Sequence, residues 1–202
     1  AFELKRVYLG YKHDFNDTFS AKVTYDIGSN SGGSEYTAYV KIAQLDWKLN
    51  PKVKLSMGLI GNKQFNDQEK FWGYRYIFKS FQDQNGYGSS ADLGVNAEFE
   101  LSKNLKANFL IANGEGYKNL QDEDGNQRFG MSLIYNPSKQ IITKLYYDTH
   151  ASENSKSLNI VSLSELKGNR IAVTVVNLFS FQFSCKYSLR YLEIFIVVKV
   201  YL

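Results

Sequence analysis

The chain has only two prolines, two histidines and one cysteine among its 202 residues. The single Cys185 excludes an intrachain disulfide but leaves the compartment open, because exported proteins need not carry disulfides. Cys185 is expected to be a small buried or lipid-facing side chain rather than a reactive thiol. His13 precedes a short turn and His150 opens a long loop, so the two sit at opposite ends of the fold. They cannot share a metal or a catalytic site. No run of 18 apolar residues occurs, which excludes a transmembrane helix. It does not exclude a transmembrane barrel, whose lipid face occupies only every second residue. No strong charge of one sign is present either. The net charge is +4, and a nucleic-acid partner is not expected. Five basic and two acidic residues follow position 158, so the first 158 residues carry nineteen basic against eighteen acidic. No signal peptide is visible and residue 1 already reads as strand, so the chain is expected to be mature or truncated at its start.

What the chain has instead is aromatic residues, fifteen Tyr and fourteen Phe, with fifteen Gly. That bias favours strands and turns over helices. In "FSAKVTYDIGS", Phe19, Ala21, Val23, Tyr25 and Ile27 alternate with Ser20, Lys22, Thr24, Asp26 and Gly28. This is period two, a strand with one apolar face. "ADLGVNAEFEL" repeats the pattern, as do Val53–Leu59, Leu105–Ile111, Phe129–Tyr135 and Ile141–Tyr147. Strands near 1–14 and 36–49 slip once in their alternation, as at a bulge. Beyond about residue 158 the composition remains strand-like but alternation fails, and "IFIVV" is apolar on both faces. Three or four strands can be drawn there.

The connections alternate short and long. Asn16–Thr18, Asn50–Lys52, Ser102–Asn104 and Asn136–Lys139 are short, whereas Gly28–Ser34, Gly61–Ser90, Asn113–Gln127 and Thr149–Ser157 are long. A soluble sandwich has no reason to keep one end tight and the other loose. A bacterial outer-membrane barrel does, with short periplasmic turns and longer external loops. The segments "NPKVKLSMGLIG", "SKNLKANFLIANG" and "NPSKQIITKLYYD" each place a turn and a lysine before an alternating strand, which reads as a repeated hairpin. The fold expected is therefore all-β: residues 1–202 as one antiparallel transmembrane β-barrel of about 10–14 strands. Its polar faces would line a lumen with Lys22, Asp26, Lys54, Glu98, Glu100, Lys106 and Lys144. A turn centred on Lys103 sets Glu100 opposite Lys106, a favourable pair.

The loop 61–90 carries "EKFWGYRYIFKSFQ", with six aromatics between Phe71 and Phe81. A loop this long is expected to have a job. On helical spacing, Phe71, Tyr74, Phe78 and Phe81 share one face, and Gln68, Arg75, Lys79 and Gln82 another, with Trp72 at its edge. Such a short amphipathic helix could pack its rings on the barrel wall and turn its basic side across the pore. The alternatives are a cap over the barrel mouth or at the lipid interface, and a partner-binding surface.

The stretches "AYVKIAQLDWKLN", "GLIGNKQFNDQEKFWGYRYIFKSFQDQNGYGSSADLGV" and "NFLIANGEGYKNLQ" resemble a porin-like outer-membrane family of Bacteroidetes-type bacteria, loosely related to the phosphate-selective porin O/P group. The resemblance spans about residues 2–158. It implies passive passage of small solutes or ions through the outer membrane of a Gram-negative bacterium. It points to Glu69, Lys70, Trp72, Arg75, Tyr76 and Lys79 of the loop without assigning individual roles. Outer-membrane lipid and small solutes or ions are the partners it implies, with a homo-oligomer or a larger outer-membrane complex beside them. Two other functions compete with the channel: a non-conducting accessory barrel within such a complex, and a soluble lipid-binding barrel. No enzymatic activity, cofactor or metal is expected. His150 with Ser152 is the only local hydrolase candidate, and "DEDGN" lacks the spacing of a calcium loop.

Overall fold

In a computed structural model of the chain, the described residues are 2, 6–28, 36–72, 75, 77–84, 86, 88–120, 125–138, 141–150, 159–166, 172–177 and 194–198. They form eleven strands: β1 (Arg6–Asp14), β2 (Phe19–Gly28), β3 (Thr37–Asn50), β4 (Val53–Gly61), β5 (Ala91–Glu100), β6 (Leu105–Ala112), β7 (Arg128–Tyr135), β8 (Ile141–His150), β9 (Asn159–Leu166), β10 (Ala172–Asn177) and β11 (Ile194–Val198). Two helices, α1 (Lys63–Trp72) and α2 (Phe81–Gln84), lie between β4 and β5. Neither is long and apolar enough to cross a membrane. Each strand pairs antiparallel with the next, giving one sheet in the order β1 to β11. Among the described residues the edges β1 and β11 do not pair with each other.

The connections alternate in length through the whole sheet. Positions 15–18, 51–52, 101–104, 136–140 and 167–171 join strands at one end, and 29–36, 62–90, 113–127, 151–158 and 178–193 at the other. The alternation continues through β9–β11, where side-chain periodicity fails. The slip expected in the strand near 36–49 is a bulge opposite Thr24 and Tyr25, which pair with Ile42 and Val40 and leave Lys41 between them.

The register places every alternating set on a common face. Lys54 faces Glu98, Glu98 faces Asn108, and Glu100 faces Lys106, as the turn symmetry predicts. The polarity of the two faces is inverted relative to a soluble protein. Phe109, Ile111, Phe129, Met131, Leu133, Leu145 and Tyr147 are exposed on one face, while Asp26, Ser56, Asn96, Asn108, Arg128, Ser132, Lys144 and Asp148 are buried on the other. The buried apolar cluster is small, with Ile60, Leu110 and Ala112 on the polar side.

That polar side is concave. Gly58 and Gly94 face each other on β4 and β5. A Cβ at Gly58 would stand 2.4 Å from the carbonyl oxygen of Ala43, and one at Gly94 would stand 2.2 Å from that of Ile111. Glycine alone lets the strands coil this tightly, and Gly58 also has φ of 103°.

Candidate functional site

The site is the polar concave face together with the loop that folds onto it. The loop begins with a helix cap. Asn62 Oδ1 accepts the Phe65 backbone N–H at 3.3 Å, satisfying one of the unpaired donors of the first turn. The Asn62 backbone N–H donates to Ser90 O at 3.0 Å, and Asn66 Nδ2 reaches the same oxygen at 3.4 Å. Both roots of the loop are thereby tied, and α1 is aimed over the sheet. Among its described side chains Gln64, Phe65 and Gln68 are buried, two of them amides facing a polar surface.

Two ion pairs fasten α1. At its start, Lys63 pairs with Glu98 of β5. One turn later, Asp67 Oδ2 accepts from Lys144 Nζ of β8 at 2.6 Å. Glu98 also holds Lys54 at 2.9 Å, and Lys54 lies 3.8 Å from Asp46. Asp46 in turn accepts from Gln44 Nε2 at 2.7 Å and from Ser56 Oγ. β5 and β8 are three strands apart, about 14 Å on a flat sheet at roughly 4.8 Å per step. A single helix turn meets both through the long side chains of Lys63 and Lys144.

A second crossing lies at the end with the long connections. Gly114 N–H donates to Asp92 Oδ2 at 2.9 Å and Tyr117 N–H to Ala91 O at 3.1 Å, anchoring this loop on β5. The Tyr117 hydroxyl donates to Asp26 Oδ2 of β2 at 2.6 Å, and Asp26 also pairs with Arg6 Nε at 3.1 Å. Burial and then the Asp26 carboxylate push the Tyr117 phenol above its ordinary range. Lys41 sits over the rings of Tyr8 and Tyr117, and Lys118 over that of Tyr39. On β7 and β8, Arg128 is paired with Asp148 at 2.9 Å, and Tyr146 donates to the same oxygen at 2.8 Å.

All seven sheet residues expected to line a lumen share this face. Asp26 and Lys144 are buried, Lys54 and Glu98 are partly covered, and Lys22, Glu100 and Lys106 are open. Lys144, close to the short connection 136–140, lies beneath α1 with 2% of its surface exposed.

The loop helix differs from its expected position. It occupies 63–72 rather than 68–82, and Arg75, Ile77, Phe78 and Lys79 follow it outside any helix. Phe78 is therefore on no helix face with Phe71, and it is exposed. Arg75 does not present a free charge. Its guanidinium binds Glu69 and Asp83, each at 2.7 Å, and so staples α1 to α2. Gln82, expected on the solvated side, is buried. Lys70 and Lys79 are exposed. Tyr74, Tyr76, Ser152, Cys185, residues 122–124 and the side chains of Phe71, Trp72 and Phe81 lie outside the described residues. The contacts that sequence reasoning missed include those of Lys63, Asp67, Tyr117 and Arg128. Among the described residues no group of three or more His, Cys, Asp or Glu could hold a metal ion. No protein-family model, curated protein or solved structure matches the chain.

Proposed function

We propose that the chain is an outer-membrane β-barrel, or the larger part of one, acting as a porin-like channel for small hydrophilic solutes or ions with α1 as its constriction. The observation that carries this reading is the inverted polarity of the sheet: an apolar face exposed along β5–β8 and a polar, ion-paired face on the concave side. Lipid is the solvent that stabilises such an outside, and water-filled space such an inside. Strands of 8 to 10 residues, as in β5–β8, match the roughly 9–11 residues that cross a bilayer at a tilt. Phe15, Phe19, Trp47, Phe99 and Tyr135 cluster near the short connections, where an interfacial aromatic girdle belongs. The reading requires β1 and β11 to find strand partners in the membrane, because lipid satisfies no open edge. The resemblance to porin-like outer-membrane proteins points the same way.

A second reading rests on how tightly α1 is seated. Lys144, Asn96, Asn108 and Ser132 are all buried on the face it covers, which also suits a barrel plugged by its loop and serving in a larger complex. Conductance of the detergent-purified protein in a planar bilayer separates the two. Discrete open-channel steps are the expected outcome. Insertion without conductance would overturn the channel and leave the accessory barrel.

A further inference from the structure

Resting on the channel reading, we propose that the constriction at α1 is held electroneutral by Glu98 and selects uncharged or zwitterionic hydrophilic solutes. Six charged side chains surround the seat of α1: Asp46, Lys54, Lys63, Asp67, Glu98 and Lys144. Three are cations and three are anions. Each lies within ion-pair distance of an opposite charge, so the six together carry no net charge. Glu98 is the pivot, since it contacts ammonium groups from two different elements, Lys54 on β4 and Lys63 on α1. Among the described residues Asp67 and Lys144 answer only each other. An ion entering this ring loses hydration and gains no counter-charge. A polar neutral solute meets ammonium donors beside carboxylate acceptors, the complement of a hydroxyl-rich or zwitterionic surface.

Glu98 and Lys63 make the same contact, and this allows a test that separates charge from structure. Glu98→Gln and Lys63→Gln each remove the ion pair and loosen the same anchor, but they leave unbalanced charge of opposite sign. In a planar bilayer under a KCl gradient, the wild type should show a reversal potential near zero. Glu98→Gln should favour chloride and Lys63→Gln potassium, each by about two- to threefold, the effect of one charge at ~6 Å in screened water. The double variant should return to the wild-type ratio. Liposome swelling on the unmodified protein gives an independent arm, in which a neutral sugar should enter faster than size-matched anionic or cationic derivatives. A conducting protein whose two single variants shift together, or not at all, overturns the proposal and leaves the channel intact. A wild type that inserts without conducting overturns the channel reading itself.

Discussion

Tyr117 joins two distant parts of the sheet with one side chain, and its chemistry makes the contact testable. Its hydroxyl donates to a carboxylate that is 2% exposed, so ionising the phenol would set two negative charges against each other away from water. The folded pKa is raised, so the contact contributes fully below the ordinary tyrosine value of 10.0 and is lost as pH climbs through the folded value. In a 295 nm titration, the difference between the wild type and Tyr117→Phe should show no phenolate appearing near pH 10.0. A phenolate that titrates there would mean that the hydroxyl is not held by Asp26. Nothing local in the sequence marks Tyr117 for Asp26, which is 91 positions away. The pairing of Glu100 with Lys106 was legible, because a hairpin is symmetric about its turn and Lys103 marks that centre. Contacts whose register is fixed by one turn can be counted from the chain, whereas contacts made by a loop folding back cannot.

At the scale of elements, α1 is held by pairs of unequal burial. Lys144 is almost enclosed, while Asp67 keeps 33% of its side chain exposed. Breaking a fully buried pair costs roughly 3–5 kcal/mol, and water at Asp67 lowers the expected loss for Asp67→Asn to about 1–3 kcal/mol. Denaturant unfolding in detergent should show that loss, and Asp67→Asn with Lys144→Met should recover part of it by removing the stranded ammonium. A double variant weaker than the single by the full cost of a second mutation would show that the two residues do not interact. The helix itself was half legible. Asn62 as cap, ten residues free of Gly and Pro, and Gly73 immediately after bracket 63–72 in the sequence. The aromatic spacing from Phe71 to Phe81 drew the expectation further along the chain, because rings at three- and four-residue intervals imitate a helix face. Arg75 shows why the imitation fails: its two carboxylate partners fold the segment after α1 back onto it. In β9–β11 the converse holds. Side-chain alternation is lost, and only strand-like composition pointed to the three strands found there.

For the whole molecule, the decisive quantity is which side of the sheet meets which solvent. Period two in the sequence establishes that each strand has an apolar and a polar face, but not which one points outward. A soluble lipid carrier would turn the apolar face in. The observed burial does the opposite, and this has a measurable consequence. Met131 is 53% exposed in the middle of β7, and on the proposed membrane reading a charge there would sit in the hydrocarbon of a bilayer. Ser20 lies on the polar face, opposite Asp14 on one neighbour and Asp46 on the other. Met131→Arg should cost about 2–4 kcal/mol, the penalty for a basic residue facing lipid near the midplane. Ser20→Arg gains two carboxylate neighbours and should stay within about 0.5 kcal/mol of the wild type. Urea titrations of folding into phospholipid vesicles would measure both. If the two variants prove equally tolerated, or if the wild type folds and stays monomeric in water without detergent or lipid, the apolar face does not meet a membrane. A large penalty confined to Met131→Arg would place lipid against β7, on the face opposite the one that holds α1.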